Sequence, residues 1–221
     1  MLKRSKKEKL RRDTSLISYI NTTSMVSEQY RTIRTNIQFS SIEKTYRTLI
    51  ITSPGFGEGK TTTTANLGVV MAQQGKKILI VDADLRNPMM HIIFNTQNTK
   101  GLTNVLIQQT SLQEAIRKTG IENLDILPRG PIPPIPAELL SSDAMKELME
   151  QALEEYHVIL FDSPPVNALA DAQILSNLGD GVVLVVNSGK TKKETGIKAL
   201  ESLKSAKAKL LGVVLNNKKY A

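Results

Sequence analysis

The chain has no cysteine, which excludes a disulfide framework and any thiolate metal site. Its two histidines, His91 and His157, stand far apart, so a histidine metal cluster is excluded as well. There is no tryptophan, and aromatic residues make up only 4%. That leaves few platforms for stacking bases and argues against a nucleic-acid partner. No apolar run approaches the ~18 residues needed to span a membrane. The basic N-terminus lacks the apolar stretch of a signal peptide, so the expected compartment is the cytoplasm.

What is present is unevenly placed. Of a net charge of +8, residues 1–12 (MLKRSKKEKLRR) carry +6. The excess of positive charge therefore belongs to a short segment rather than to the body of the protein. The ordinary reading of such a block is a solvated arm. The sharper one is contact with an anionic membrane surface, where each basic residue adds about 1 kcal/mol. The sequence divides accordingly into a basic arm (1–20), one domain (21–217) and a short tail (218–221).

The domain alternates two periodicities. The stretch 26–41 reads as a helix with Val26, Tyr30, Ile33 and Ile37 on one stripe. Short, almost wholly apolar runs at 46–53, 77–84, 124–127, 157–165, 181–188 and 210–217 read as strands. Helices are expected at 60–74, 103–107, 111–117, 143–155, 168–178 and 192–207, with no regular structure in the proline-rich 130–140 until its end. Strands apolar on every residue, alternating with helices, predict an α/β fold: a mostly parallel sheet with helices on both faces. Ligands of such sheets bind beyond the carboxyl ends of the strands.

Three motifs fall at such ends. SPGFGEGKTTTT follows the first strand and opens a helix. Glycines let successive N–H groups turn inward on an anion, and the helix N-terminus adds positive potential. Gly57, Glu58, Gly59, Lys60, Thr61 and Thr62 thus form a P-loop (Walker A) cradle for ATP. Lys60 reaches the β- and γ-phosphates, and the Thr61 hydroxyl serves Mg²⁺. The strict pattern asks for glycine six residues before the lysine; Pro54 stands there instead.

Asp82 and Asp84 end the second strand (ILIVDADLR), and Asp162 ends another (VILFDSPP). One such acid would serve the Mg²⁺ shell. A second, not saturated by metal, could accept a proton from an attacking hydroxyl. The plainer alternative is that one of the pair caps a helix or pairs with Arg86.

In this order and spacing the motifs resemble those of the bacterial tyrosine kinases of capsule and exopolysaccharide operons, over nearly the whole chain from about residue 26. A fourth motif supports the resemblance: Glu28, Arg31 and Arg34 in SEQYRTIRTN are similar to that family's E-x-x-R-x-x-R helix. The resemblance implies an ATP-dependent protein tyrosine kinase of P-loop NTPase fold, regulating polysaccharide synthesis. It implies Asp162 and Thr61 on Mg²⁺ with Asp84 assisting, and Asp82 as base. Arg86 would steady the loop or a neighbour contact.

It also implies ring-like homo-oligomers with Glu28, Arg31 and Arg34 at the subunit contact. A transmembrane activator would dock its cytoplasmic end, placing the chain at the inner face of the membrane. On their own, Glu28 and Arg31 form an ordinary helical pair worth about 0.2–0.5 kcal/mol. Asn216, ending the last strand, is a candidate for adenine, or simply a turn residue.

Two departures stand out. Phe56 replaces the family's proline in the loop. The family's tyrosine cluster at the C-terminus is reduced here to Tyr220. Tyr220 is then the only acceptor of its tail, or the tail has been cut off, or the acceptor is another protein with a suitable tyrosine. The competing reading is an ATP-hydrolysing dimeric switch of the partitioning and cell-division type. Those proteins resemble one another in a second lysine five residues before the P-loop lysine; here that position is Gly55, which favours the kinase.

Overall fold

Five apolar runs make the interior of one sheet, because every residue in them can be buried. They are β1 (Thr48–Thr52), β2 (Ile78–Asp82), β4 (Leu124–Leu127), β5 (Val158–Asp162) and β6 (Gly181–Asn187). With β3 (Arg117–Lys118) and β7 (Leu210–Asn216) they run in the order β3-β4-β2-β5-β1-β6-β7. All pairings are parallel except β3 on β4. A computed structural model describes residues 15–40 and 45–218 of the chain; the basic block 1–12 and Tyr220 lie outside them.

Helices cover both faces. The helix Lys60–Ala72 packs across the centre of one face and is buried along nearly its whole length. The helix Met25–Phe39 packs outside it, capped by Ser24, whose hydroxyl accepts from Ser27 N at 3.1 Å. On the other face Asp143–Glu155 and Ala170–Leu178 contribute Met145, Leu148, Ala172 and Leu175 to a core around Phe161.

Register decides where the chemistry falls. Asp82 and Asp162 are register partners on β2 and β5, and Ile51 of β1 pairs with Asp162 on its other side. Register partners in a sheet point to the same face. The two acids therefore stand beside each other at the carboxyl rim, next to the loop that leaves β1.

The structure departs from the sequence reading at four places. Residues 15–20, assigned to the arm, instead dock on the domain through the helix Ile17–Ile20. Leu16 is buried, Ser18 N donates to Asn66 Oδ1 at 2.9 Å, and Asn66 Nδ2 donates to Ser15 O at 2.6 Å. The helix expected over 111–117 stops at Ala115, since the chain turns back as β3 to lie antiparallel on β4. A short helix Met90–Ile93 was not foreseen. Finally, β7 is not covered on both faces: Val213 is 48% and Leu215 55% exposed. It is an edge strand, with no described element beyond it to bury the open side.

Candidate active site

The loop between β1 and the helix Lys60–Ala72 curls as its glycines require. Gly57 has φ +75 and Gly59 φ +95, values that favour glycine. A Cβ at Gly59 would lie 2.0 Å from Asn216 Nδ2, so that position tolerates no side chain on steric grounds either. Asn216 reaches the loop from the end of β7, and its Nδ2 donates to Glu58 O at 2.9 Å. Its side chain therefore supports the loop backbone, and its Oδ1 accepts from Asn217 N at 3.0 Å.

Lys60, at the first position of the helix, is buried and points to the rim of acids. Its Nζ lies 2.9 Å from Asp84 Oδ2 and 3.5 Å from Asp162 Oδ1. Thr61 Oγ1 donates to Asp162 Oδ2 at 2.8 Å, and Thr64, one turn later, reaches Asp162 Oδ1 at 3.5 Å. Asp84 Oδ1 accepts from Asn87 N and Asp82 Oδ2 from Met90 N, each at 2.9 Å. The other oxygen of Asp82 is buried and makes no hydrogen bond among the described residues.

Two of the three buried acids, Asp84 and Asp162, thus share one lysine, and crowding shows in the titration of Asp82 and Asp162. Burial, reinforced by the charge of Asp162, pushes Asp82 up to about 8. Burial also raises Asp162, opposed by Lys60 and by the Thr61 hydroxyl. Burial works against the ammonium of Lys60, but the charges of Asp162 and Asp84 more than offset it, so Lys60 stays protonated.

Among the described residues no three His, Asp or Glu side chains are arranged as a metal cage. Mg²⁺ is ordinarily held by one or two carboxylates together with phosphate oxygens and water, rather than by a protein cage. The donor set here fits that requirement. Thr61 Oγ1 and Asp162 lie side by side, the acids outnumber the lysine, and Asp82 keeps one buried oxygen without a partner.

Of the expected site residues, Gly57, Gly59, Lys60, Thr61, Asp82, Asp84 and Asp162 come together at this rim. Thr62 continues the helix, its carbonyl accepting from Asn66 Nδ2 at 2.8 Å. Glu58 is buried with its carboxylate turned to Asn187 and Thr191, so only its backbone faces the cradle. Arg86 reaches Asp171 at 3.4 Å.

Glu28, Arg31 and Arg34 lie apart from the rim on the helix Met25–Phe39. Arg31 pairs with Glu28 and donates to Thr22 O at 2.7 Å. Arg34 turns inward and donates to Val70 O at 2.7 Å.

Arg129 was missed. It is buried just beyond β4, and its Nη1 donates to Leu85 O at 3.2 Å, beside Asp84. The signal was available, since it too follows a strand's carboxyl end. Thr64 was also legible, one helical turn after Lys60.

The family described as "AAA domain" matches residues 46–211. The chain is 52% identical over 211 residues to Tyrosine-protein kinase YwqD of Bacillus subtilis (strain 168), covering 96% of this chain and 89% of that protein. It is 40% identical over 193 residues to the Putative tyrosine-protein kinase CapB of Staphylococcus aureus, covering 87% and 85%. Among solved structures, the chimerical protein CapA2B2 superposes with a TM-score of 0.91 at 43% identity, covering 94% of this chain and 91% of that one.

Proposed function

The chain belongs to the bacterial tyrosine-protein kinases within the AAA-domain family, and we propose that the rim around Lys60 transfers the γ-phosphoryl group of ATP to a protein tyrosine. The activity serves control of capsular or extracellular polysaccharide synthesis. The observation that carries the mechanism is the convergence of Lys60, Thr61, Asp82, Asp84 and Asp162, from three chain segments, at one end of the sheet.

Phosphoryl transfer needs little covalent help, so positioning and charge neutralisation supply most of the rate. Lys60 and the backbone of residues 57–62 hold the phosphates, and Asn216 steadies that backbone by its bond to Glu58 O. Thr61 and Asp162 would hold Mg²⁺, with Asp84 assisting. When bound, the ion would supply neutralisation of phosphate charge.

The phenolic oxygen of the acceptor bonds to the γ-phosphorus as the bond to the β,γ-bridging oxygen breaks. The phenolic proton passes to Asp82, and ADP leaves. A phenol has a pKa of about 10. A carboxyl raised toward 8 is better matched to it than an ordinary aspartate, and it takes the proton only in its ionised form, the fraction that grows as pH rises toward 8.

Tyr30, Tyr46 and Tyr156 are buried, while Tyr19 is 49% exposed. That leaves Tyr19 among the described tyrosines, and Tyr220, which lies outside them, is the acceptor within this chain that we propose from its place in the tail. The remaining assignments extend the same reading. Glu28 and Arg31 offer charge for a ring-like contact between copies, and Arg34 braces the helix that bears them against Val70. A transmembrane activator presents its cytoplasmic end to the chain and brings it to the inner face of the membrane. Among the described residues no helix is long and apolar enough to cross a membrane.

The test is incubation with labelled Mg-ATP, with and without an activator's cytoplasmic peptide, followed by phosphoamino-acid analysis. Phosphotyrosine on protein is expected. Release of inorganic phosphate alone would favour the ATP-hydrolysing switch.

A further inference from the structure

Glu58 occupies the centre of the phosphate loop, yet its carboxylate leaves the cradle and is buried against a different loop. One oxygen accepts from Asn187 N at 2.6 Å and from the Thr191 hydroxyl. Those two donors bracket a tight turn beyond β6. Lys190 N and Thr191 N both return to Asn187 O, at 3.2 and 3.0 Å, and Gly189 takes φ +76. Two loops from separate strands are thereby fastened together by one buried acid.

The fastening has a consequence for the residue at the turn's tip. Lys190 is an exposed residue, and its side chain runs back to the phosphate loop. Its Nζ comes within 3.5 Å of the place that a Cβ on Gly57 would take. It forms no ion pair with any described residue.

The placement suits an incoming anion. The N-terminus of the helix Lys60–Ala72 carries positive potential, and so does an inward-turned glycine loop. A second ammonium beside them gains nothing in the absence of an anion. It gains when a polyphosphate arrives, because a lysine contacts phosphate as a point charge without needing a fixed fork geometry.

We propose that Lys190 is a further nucleotide-binding residue, a cation held over the phosphate loop at Gly57 by the Glu58 fastening so that it meets the polyphosphate of bound ATP. This rests on the reading that residues 57–62 cradle that nucleotide. Glu58 is then a positioning residue, acting through the turn 187–191.

The experiment is a fluorescence titration of the full chain with a methylanthraniloyl-ATP and Mg²⁺, for the unaltered protein and for Lys190→Ala, Lys190→Arg, Glu58→Gln and the double variant Glu58→Gln/Lys190→Ala. Loss of one charge-assisted contact predicts binding about tenfold weaker for Lys190→Ala. Lys190→Arg keeps the charge and should stay within about threefold. Glu58→Gln should weaken binding in the unaltered background but add little in the Lys190→Ala background, as a shared pathway requires. Lys190→Ala binding within about twofold of the unaltered protein overturns the assignment of Lys190 alone. Equal weakening by Glu58→Gln in both backgrounds overturns the positioning role. Failure of the unaltered protein to bind overturns the nucleotide reading as well.

Discussion

Lys60 Nζ and Asp84 Oδ2 lie 2.9 Å apart, both buried. The lysine proposed to serve the phosphates is therefore already held by an acid of the second motif. On the proposed reading, a nucleotide entering the cradle would compete with Asp84 for the same ammonium.

That competition separates two effects of Asp84→Asn. Without metal, relieving the competitor should tighten ADP binding by about three- to tenfold. With Mg²⁺, loss of a carboxylate near the metal should slow phosphotyrosine formation by about tenfold or more. Calorimetry with ADP in EDTA and initial rates with Mg-ATP check the two arms. Changes of the same sign in both would contradict the competition.

Lys60→Met removes the cation proposed to face the transferred phosphate. Phosphotyrosine formation should fall by about a hundredfold or more, the scale for losing a preorganised electrostatic contact. Immunoblotting for phosphotyrosine after incubation with Mg-ATP measures it. Full activity in this variant would remove Lys60 from the mechanism.

Asp82 titrates near 8 in the folded chain, against 3.8 as an ordinary aspartate. The folded state keeps a proton that the unfolded chain releases near pH 4. The stability this contributes is full below about pH 4 and is lost as pH rises through about 8. Asp82→Asn cannot ionise and escapes that loss. Denaturant unfolding at pH 5 and pH 9, with EDTA and no nucleotide, should show the variant gaining on the unaltered protein by about 2–4 kcal/mol across the interval. Parallel stability at both pH values would show that Asp82 titrates as an ordinary carboxyl.

Gly59→Ala meets two obstacles: φ +95 and the Asn216 amide at 2.0 Å from the new Cβ. A cost of about 1–3 kcal/mol in stability is expected from the backbone alone. Gly59→Ala/Asn216→Ala should recover only the steric part, leaving nucleotide binding impaired. Thermal denaturation of both variants, with and without Mg-ATP, distinguishes the two contributions.

The central strands were legible because burial on both faces leaves an unbroken apolar run, and an acid at the end of such a run marks the rim. The expected 124–127 matches β4 and 143–155 matches the helix Asp143–Glu155 residue for residue. The meeting of Asp82 and Asp162 at one rim followed from strand-end logic; that they stand side by side is set by the register of β2 on β5.

What was not legible depends on partners distant in sequence. Nothing in the loop motif says that Glu58 turns to Asn187 and Thr191, more than 100 residues away. Nor does local pattern say that Asn216 braces the loop or that Arg34 turns to Val70 O. The docking of residues 15–20 was hidden because charge composition placed them with the arm, whereas Asn66 holds them by two hydrogen bonds.

The most direct measurement is a crystal structure of the full chain with Mg²⁺ and a non-hydrolysable ATP analogue. A triphosphate is expected along residues 57–62, with Lys60 Nζ moved from Asp84 onto phosphate and the metal beside Thr61 and Asp162. A nucleotide seated elsewhere, with the 2.9 Å contact between Lys60 and Asp84 intact, would contradict that expectation.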